Sequence, residues 1–291
     1  MTKALENNSS LKAQVLSQSL PYIQKFYGKI FVIKYGGSAM ESNELKIQTV
    51  KDFLLLSCVG IKIVIVHGGG KEINSMLGKL KLPVKFINGQ RVTDLETMKI
   101  VEMVLVGKIQ KEIVNLMNTL GGNAIGLSGK DGKLFLAGQK KGMKKYGYVG
   151  NVKKVNAGVL YTLLDNGFIP VISSIGSDEN GKSYNINADS VAESIASELK
   201  ASKLLLMTDT PGILLDKNKP NTLISKLSIN TAKKLIKQKK ISDGMIPKIN
   251  SAISALRNLV GAVQIIDGRL KHSTLLEIFT DSGIGTMITL K

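Results

Sequence analysis

The chain has no tryptophan, one cysteine, six prolines, two histidines and only 5% aromatic residues. A single cysteine, Cys58, cannot close an internal disulfide, and its apolar surroundings read as those of a small core residue in a reducing compartment. Long apolar runs are also missing. Stretches such as 204–207 and 262–266 end far short of the roughly 18 residues that a membrane span needs, so a soluble protein is expected. Residues 1–10 are polar, without arginine or a long apolar core, which predicts no signal or transit peptide. Arginine is scarce: only Arg91, Arg257 and Arg269 interrupt the lysines among 40 basic residues. The formal net charge of +18 is therefore a lysine bias spread over the whole chain, as AT-rich coding produces. A nucleic-acid stripe would cluster arginine and aromatics instead, and runs such as Lys140-Lys141 to Lys144-Lys145 and Lys233-Lys234 to Lys239-Lys240 read as solvated faces.

What is present is enough apolar material, 43% of 291 residues, for a sizeable core. Val/Ile/Leu-rich strands at 29–35 and 62–67 alternate with amphipathic segments at 44–57 and 71–80, the order of a parallel α/β sheet. The alternation returns with strands at 168–174, 203–208 and 262–266 and helices at 189–199, near 231–239 and at 245–259. Between them, the glycine-spaced stretch 133–155 predicts short hairpin strands over an acceptor site. Two lobes, 28–180 and 181–291, are expected to share one central sheet. Ahead of them, Leu11, Val15, Leu16, Leu20, Ile23 and Phe26 recur at helical spacing, which makes 10–27 an amphipathic helix, kinked at Pro21, within a leading segment 1–27.

Two glycine turns follow strands: Lys34-Tyr35-Gly36-Gly37-Ser38 and His67-Gly68-Gly69-Gly70-Lys71. Glycine lets the backbone approach an anion, and a following helix N-terminus offers unpaired N–H groups. Two such turns at the carboxyl ends of neighbouring parallel strands point to one phosphate or carboxylate site. Gly176-Ser-Asp-Glu-Asn-Gly-Lys-Ser183 satisfies the letter of the P-loop pattern, yet no helix opens at Lys182-Ser183, and Asp178 and Glu179 put negative charge where phosphates would sit. It reads as a hairpin turn. Farther on, Asn185 and Asn187 alternate on one face before Asp189, which reads either as a helix cap or as a functional carboxylate.

Taken together, Lys34-Tyr-Gly-Gly-Ser, His67-Gly-Gly-Gly, Asn88-Gly-Gln-Arg91-Val-Thr, Asn185-Ile-Asn-Ala-Asp189 and Ser242-Asp-Gly-Met-Ile-Pro-Lys248 resemble the N-acetylglutamate kinases. The resemblance implies an αβα sandwich with a central, mainly parallel sheet, the amino-acid kinase fold. It implies transfer of the ATP γ-phosphate to the side-chain carboxylate of N-acetyl-L-glutamate in arginine biosynthesis, with Mg²⁺ arriving on the nucleotide. By motif, 28–180 would be the acceptor lobe and 181–291 the ATP lobe. Gly69, Gly70, Arg91 and Asn185 would hold the acceptor, Gly36 and Gly37 the ATP phosphates. Lys34 and Lys248 would contact the transferring group, with Asp189 orienting both.

The leading helix is similar to the extension of arginine-inhibited, hexameric members, which implies a homo-hexamer built as a trimer of dimers and feedback inhibition by L-arginine. Tyr22, Lys203, His272, Glu277 and Gly283 would form the effector site. Other readings stand beside this one: a kinase of the same fold acting on aspartate, glutamate or carbamate, and a regulated scaffold for a PII-type nitrogen-signalling protein. Intact Lys34, Asp189 and Lys248 argue against an inactive scaffold. Lysine bias and the absence of a transit peptide suit a plastid-encoded stromal protein, with a bacterial cytoplasm as the alternative.

Overall fold

The computed structural model describes all residues except 1–2, 41, 88, 140–143, 217–218 and 242–243. Asn88, Lys140, Lys141, Ser242 and Asp243 of the stretches above thus lie outside the described residues. The chain begins with α1 (Lys3–Phe26), a single helix with Pro21 inside it, which starts earlier than its apolar spacing indicates. Strand β1 (Ile30–Tyr35) leads through a short 3₁₀ turn, Gly37–Met40, into α2 (Asn43–Cys58), where Ser42 accepts from the Leu45 N–H as the cap. Then come β2 (Lys62–His67), α3 (Gly70–Lys79) and a small hairpin of β3 (Phe86–Ile87) and β4 (Gln90–Arg91). A long rod follows, in which α4 (Leu95–Glu102) and α5 (Gln110–Thr119) are joined by a π-helical segment, Met103–Ile109.

The middle of the chain supplies β5 (Ala124–Leu127), β6 (Phe135–Gln139), β7 (Val149–Val155), α6 (Ala157–Asp165), β8 (Ile169–Ser173), β9 (Ile175–Ser177) and β10 (Ser183–Ile186). Beyond it lie α7 (Ala188–Glu198), β11 (Lys203–Thr208), β12 (Lys226–Ser228), α8 (Ile229–Lys237), α9 (Ile246–Arg257), β13 (Ala262–Asp267), α10 (Ser273–Ile278) and β14 (Thr286–Thr289).

Eight strands form one sheet in the order β12-β14-β13-β11-β1-β2-β8-β5. From β13 to β5 all neighbours are parallel, and β14 turns antiparallel against β13. The fold is thus the expected αβα sandwich with a mainly parallel sheet. Strands covered on both faces need apolar residues at successive positions, which is why β1 and β2 read as near-continuous hydrophobic runs. Their alternation divides the core in two. Val32, Val64 and Val66 face the layer holding α7 and α9, and Phe31, Ile33, Ile63 and Ile65 face the layer holding α2, α4 and α5. Two residues beyond Val32, Lys34 must emerge on the α7/α9 side, at the carboxyl end of the sheet.

The 133–155 stretch does form short strands: β6 and β7 pair antiparallel and close with β9 and β10 into a four-stranded barrel. The P-loop lookalike is the β9–β10 hairpin, in which the Asp178 N–H donates to Lys182 O and Gly181 N–H to Asp178 O, both at 3.0 Å. Cys58 departs from expectation. As the last residue of α2 it is exposed, because the helix turns its buried face, with Phe53 and Leu56, away from it. No described helix is long and apolar enough to cross a membrane.

Candidate functional site

The two glycine turns meet. Gly68 N–H donates to Tyr35 O at 3.3 Å, and a Cβ on Gly36 would come within 3.4 Å of the Gly68 nitrogen. Gly37 lies at φ 67°, a region that β-carbons disfavour, so glycine is required there for the chain to leave β1 toward its 3₁₀ turn. At Gly69 the constraint is space: an added Cβ would stand 2.1 Å from Ile109 Cδ1 and 2.8 Å from Leu105 Cδ2. Both residues project from the π-helical segment, so that local irregularity presses the rod onto the glycine turn and sets its position.

Over these turns three charged side chains from distant parts of the chain converge. Lys34 Nζ lies 3.2 Å from Asp189 Oδ1, and Lys248 Nζ donates to Asp189 Oδ2 at 2.7 Å. All three side chains are less than a fifth exposed, 14%, 17% and 12% for Lys34, Lys248 and Asp189. Burial alone would raise the Asp189 pKa, but Lys34 and then Lys248 outweigh it and hold the carboxyl at about 2. Asp189 is therefore a carboxylate at neutral pH with both oxygens turned to ammonium groups. It orients them and is unsuited to taking a proton.

What frees Asp189 for this work is its neighbour. Asn187 caps α7, its Oδ1 accepting from the Asp189 N–H at 2.8 Å and the Ser190 N–H at 3.3 Å. The cap thus falls two residues before the carboxylate, and Asn187, which lines the same cavity as Asn185, has its Oδ1 committed to the helix start. One carboxylate between two lysines leaves a net positive charge, beside the N-terminus of α3 and the glycine amides, suited to a phosphoryl group.

Next to this triad is a cavity of about 400 Å³ whose wall includes Gly69, Gly70, Arg91, Asn185 and Asp189. Arg91 is buried, its Nη2 donates to Gly70 O at 3.2 Å, and its guanidinium stacks 4.8 Å from the Phe86 ring centre. No carboxylate pairs with it among the described residues, its Nη1 has no partner, and burial lowers its pKa. A buried, unpaired guanidinium is costly unless an anion joins it, which fits a carboxylate-bearing ligand. Asn185 is held by a residue that motif reasoning left unassigned: its Nδ2 donates to Thr93 Oγ1 at 3.2 Å. Phe86 and Leu105 also line the cavity. Their apolar character carries no sequence signal of a ligand contact.

A second, larger cavity of about 1050 Å³ opens between the loop after β11, with Thr210, Gly212 and Leu214, and the stretch before α9, with Lys240 and Met245. Its wall includes Ile246, two residues before Lys248 in the chain. The sequence assigns no role to Thr210, Gly212, Leu214 or Lys240, which sit on loops without a recognisable pattern, whereas Met245 and Ile246 belong to the 242–248 motif. No group of three potential metal ligands occurs among the described residues.

A third cluster lies on the far strands. Lys203 Nζ donates to Gln264 Oε1 at 3.0 Å, and Gln264 Nε2 donates to Glu277 Oε1 at 2.7 Å. Glu277 Oε2 accepts from Ile284 N–H at 2.8 Å and Gly285 N–H at 2.9 Å. A Cβ on Gly283 would strike that carboxylate at 2.7 Å. Lys203 also stands 5.1 Å over the Phe26 ring, and burial lowers its pKa to about 8 against the pull of Glu277. Tyr22 of α1 donates its hydroxyl to Asp281, which lies between Glu277 and Gly283 in the chain. His272 is engaged elsewhere, with Nδ1 2.7 Å from Asp52 of α2. Of the five residues suggested for an effector, Lys203, Glu277 and Gly283 thus form one contact network, with Tyr22 tied to the loop between α10 and β14.

Comparison with known proteins places these features in context. A sequence model of the amino acid kinase family matches residues 29–267. The acetylglutamate kinase of Carboxydothermus hydrogenoformans is 54% identical over 96% of this chain and 98% of its own length. That of Nostoc sp. is 54% identical over 95% and 93%. Among solved structures, an N-acetylglutamate synthase from Neisseria gonorrhoeae complexed with coenzyme A and N-acetyl-glutamate superposes with a TM-score of 0.84 at 26% identity. The match covers 96% of this chain and 63% of that one, so the chain spans just under two thirds of the synthase. A carbamate kinase from Giardia lamblia shares the fold, with a TM-score of 0.71 at 16% identity.

Proposed function

The chain belongs to the amino acid kinase family, and from that premise we propose that it transfers the γ-phosphoryl group of ATP to the side-chain carboxylate of N-acetyl-L-glutamate, a step of arginine biosynthesis. The observation that carries this reading is the pairing of Lys34 and Lys248 on Asp189 beside a cavity lined by the Gly68-Gly69-Gly70 turn and by Arg91, which has no carboxylate partner among the described residues. Relatives at 54% identity bearing the acetylglutamate kinase name support the choice of acceptor.

The reaction asks little covalent chemistry of the protein. An acceptor carboxylate is already a nucleophile at neutral pH, so no general base is required, and Asp189 need not serve as one. One carboxylate oxygen attacks the γ-phosphorus, a P–O bond forms, the bond to the β,γ-bridging oxygen breaks, and ADP leaves with that electron pair. Charge builds on the equatorial oxygens and on the leaving oxygen, where Lys34 and Lys248 supply fixed positive charge. The larger cavity beside Lys248 takes the nucleotide, with its phosphates directed to Gly36 and Gly37. Mg²⁺ enters as part of the MgATP substrate. In this reading 28–180 forms most of the acceptor lobe and 181–291 the ATP lobe. Arg91 binds the α-carboxylate, a non-reacting group, so Arg91→Ala should raise KM for the acceptor about tenfold or more with a much smaller change in kcat. An unchanged acceptor KM in steady-state assays would move the acceptor elsewhere.

The Lys203–Gln264–Glu277 network beside α1 supports a further reading: L-arginine binds there as an inhibitor, with His272 a weaker member of the set. Exposed Val15, Leu16 and Leu20 on α1 favour its pairing with another copy, in a hexamer of three dimers. Titrating arginine against activity should depress the rate, and an indifferent enzyme would remove this site. A PII-type partner and a plastid stroma, or alternatively a bacterial cytoplasm, remain compatible with relatives that include cyanobacterial proteins.

A further inference from the structure

We infer that Thr93 determines acceptor specificity by locking the Asn185 side-chain amide in one orientation, so that its carbonyl oxygen, and not its NH₂ group, is presented to the acceptor cavity. The inference rests on the acceptor proposed above and extends it to a residue that does not itself line the cavity.

Thr93 is fully buried and clamped by its backbone. Its N–H donates to Tyr146 O at 3.0 Å, and its carbonyl accepts from the Tyr148 N–H at 2.6 Å. Gly147 between them passes so close that a Cβ there would stand 2.2 Å from Thr93 O. The hydroxyl has two partners. It donates to Arg91 O at 3.2 Å, and it accepts from Asn185 Nδ2 at 3.2 Å. A hydroxyl carries one hydrogen and two lone pairs, so once that hydrogen is committed to the Arg91 carbonyl, Thr93 can only accept from Asn185. The amide nitrogen must therefore turn toward Thr93. Asn185 has no freedom to compensate through its backbone, because its N–H on β10 is bound to the carbonyl of Tyr148, just before β7, at 2.9 Å. With Nδ2 engaged, Oδ1 is the prong left for the cavity that Asn185 lines.

An acceptor oxygen at that place selects the ligand. N-acetylglutamate at neutral pH has two carboxylates and an amide carbonyl, all acceptors, and a single hydrogen-bond donor, its amide N–H. Asn185 Oδ1 can pair only with that group. Arg91, whose carbonyl orients the Thr93 hydroxyl, at the same time offers its guanidinium to the cavity. One short chain of contacts thus couples the carboxylate grip to the reading of the N–H. A site built to pair with a donor discriminates against an isostere lacking it, since the buried oxygen is then left unsatisfied.

The test compares N-acetylglutamate with its ester isostere 2-acetoxyglutarate, in which oxygen replaces the N–H, by kcat/KM on the full-length protein. The unaltered enzyme should prefer the amide by about tenfold or more. Thr93→Val keeps the shape and removes the lock. It should raise KM for N-acetylglutamate more than it lowers kcat, and shrink the amide-to-ester ratio to about threefold or less. Thr93→Ser, which keeps the hydroxyl, should restore the ratio. A full ratio in Thr93→Val would overturn the inference, as would the absence of any preference in the unaltered enzyme. Should Thr93→Val fail to fold, the ratio in Thr93→Ser and in the unaltered enzyme still decides: loss of the preference in either one contradicts the lock. Failure of the unaltered enzyme to phosphorylate N-acetylglutamate at all would be a different outcome, and would count against the proposed reaction.

Discussion

Replacing Lys248 with alanine is expected to lower kcat by about a hundredfold or more while leaving the melting transition and the acceptor KM near those of the unaltered chain. The ammonium stands at the first turn of α9, held at 2.7 Å by Asp189, and is partly shielded from water. A preorganised cation of this kind acts on charge that grows during phosphoryl transfer, so its loss falls on turnover more than on binding. Stability should change little. Removing Lys248 leaves Asp189 with Lys34 at 3.2 Å, so the buried carboxylate keeps one counter-charge. Lys248→Arg should recover part of the rate, because the charge remains while the planar fork cannot reproduce the geometry of a compact ammonium. Near-normal kcat in the alanine variant, with the fold intact by circular dichroism, would sink the assignment of this pair to the reacting phosphoryl group.

Several features of the fold were legible because burial on both faces of a parallel sheet imposes continuous apolar runs. β1, β2, β8, β11 and β13 fall within about a residue or two of the expected limits for this reason. The rod from 95 to 119 was not legible. Its π-helical turn at Met103–Ile109 inserts extra residues, so apolar positions before and after it fall out of a common 3.6-residue phase. The edge strand β12 and its neighbour β14 are three and four residues long and carry too little pattern to register.

At the site, Lys34 and Lys248 stood out among many lysines only through their glycine and helix-start contexts, and the structure brings both to Asp189. Thr93 gave no signal of its own, since a buried hydroxyl between two polar partners is a property of the folded contacts and not of the local pattern. The same is true of the cap. Either Asn187 or Asp189 could cap α7 by residue type, and only the geometry assigns that work to Asn187. The larger cavity beside the start of α9 is lined mostly from loops, where side-chain identity is weakly constrained and composition is silent.

The second large effect concerns the acceptor. Free glutamate should be used at least about a hundredfold less efficiently than N-acetylglutamate. Its ammonium would sit near the buried Arg91 guanidinium, and it lacks the acetyl group that the apolar wall of Leu105, Val149 and Ile186 can cover. Aspartate should fare worse, because its side-chain carboxylate is one methylene short of the position between Lys34 and Lys248 when the α-carboxylate is held by Arg91. The most direct measurement is acceptor-dependent ADP formation from ATP across N-acetylglutamate, glutamate, aspartate and carbamate, with the acyl phosphate trapped as its hydroxamate. ADP and hydroxamate are expected in equal amounts with N-acetylglutamate, and little of either with the others. Equal or faster turnover of glutamate, aspartate or carbamate, or ADP release without trapped acyl phosphate, would contradict the proposed reaction.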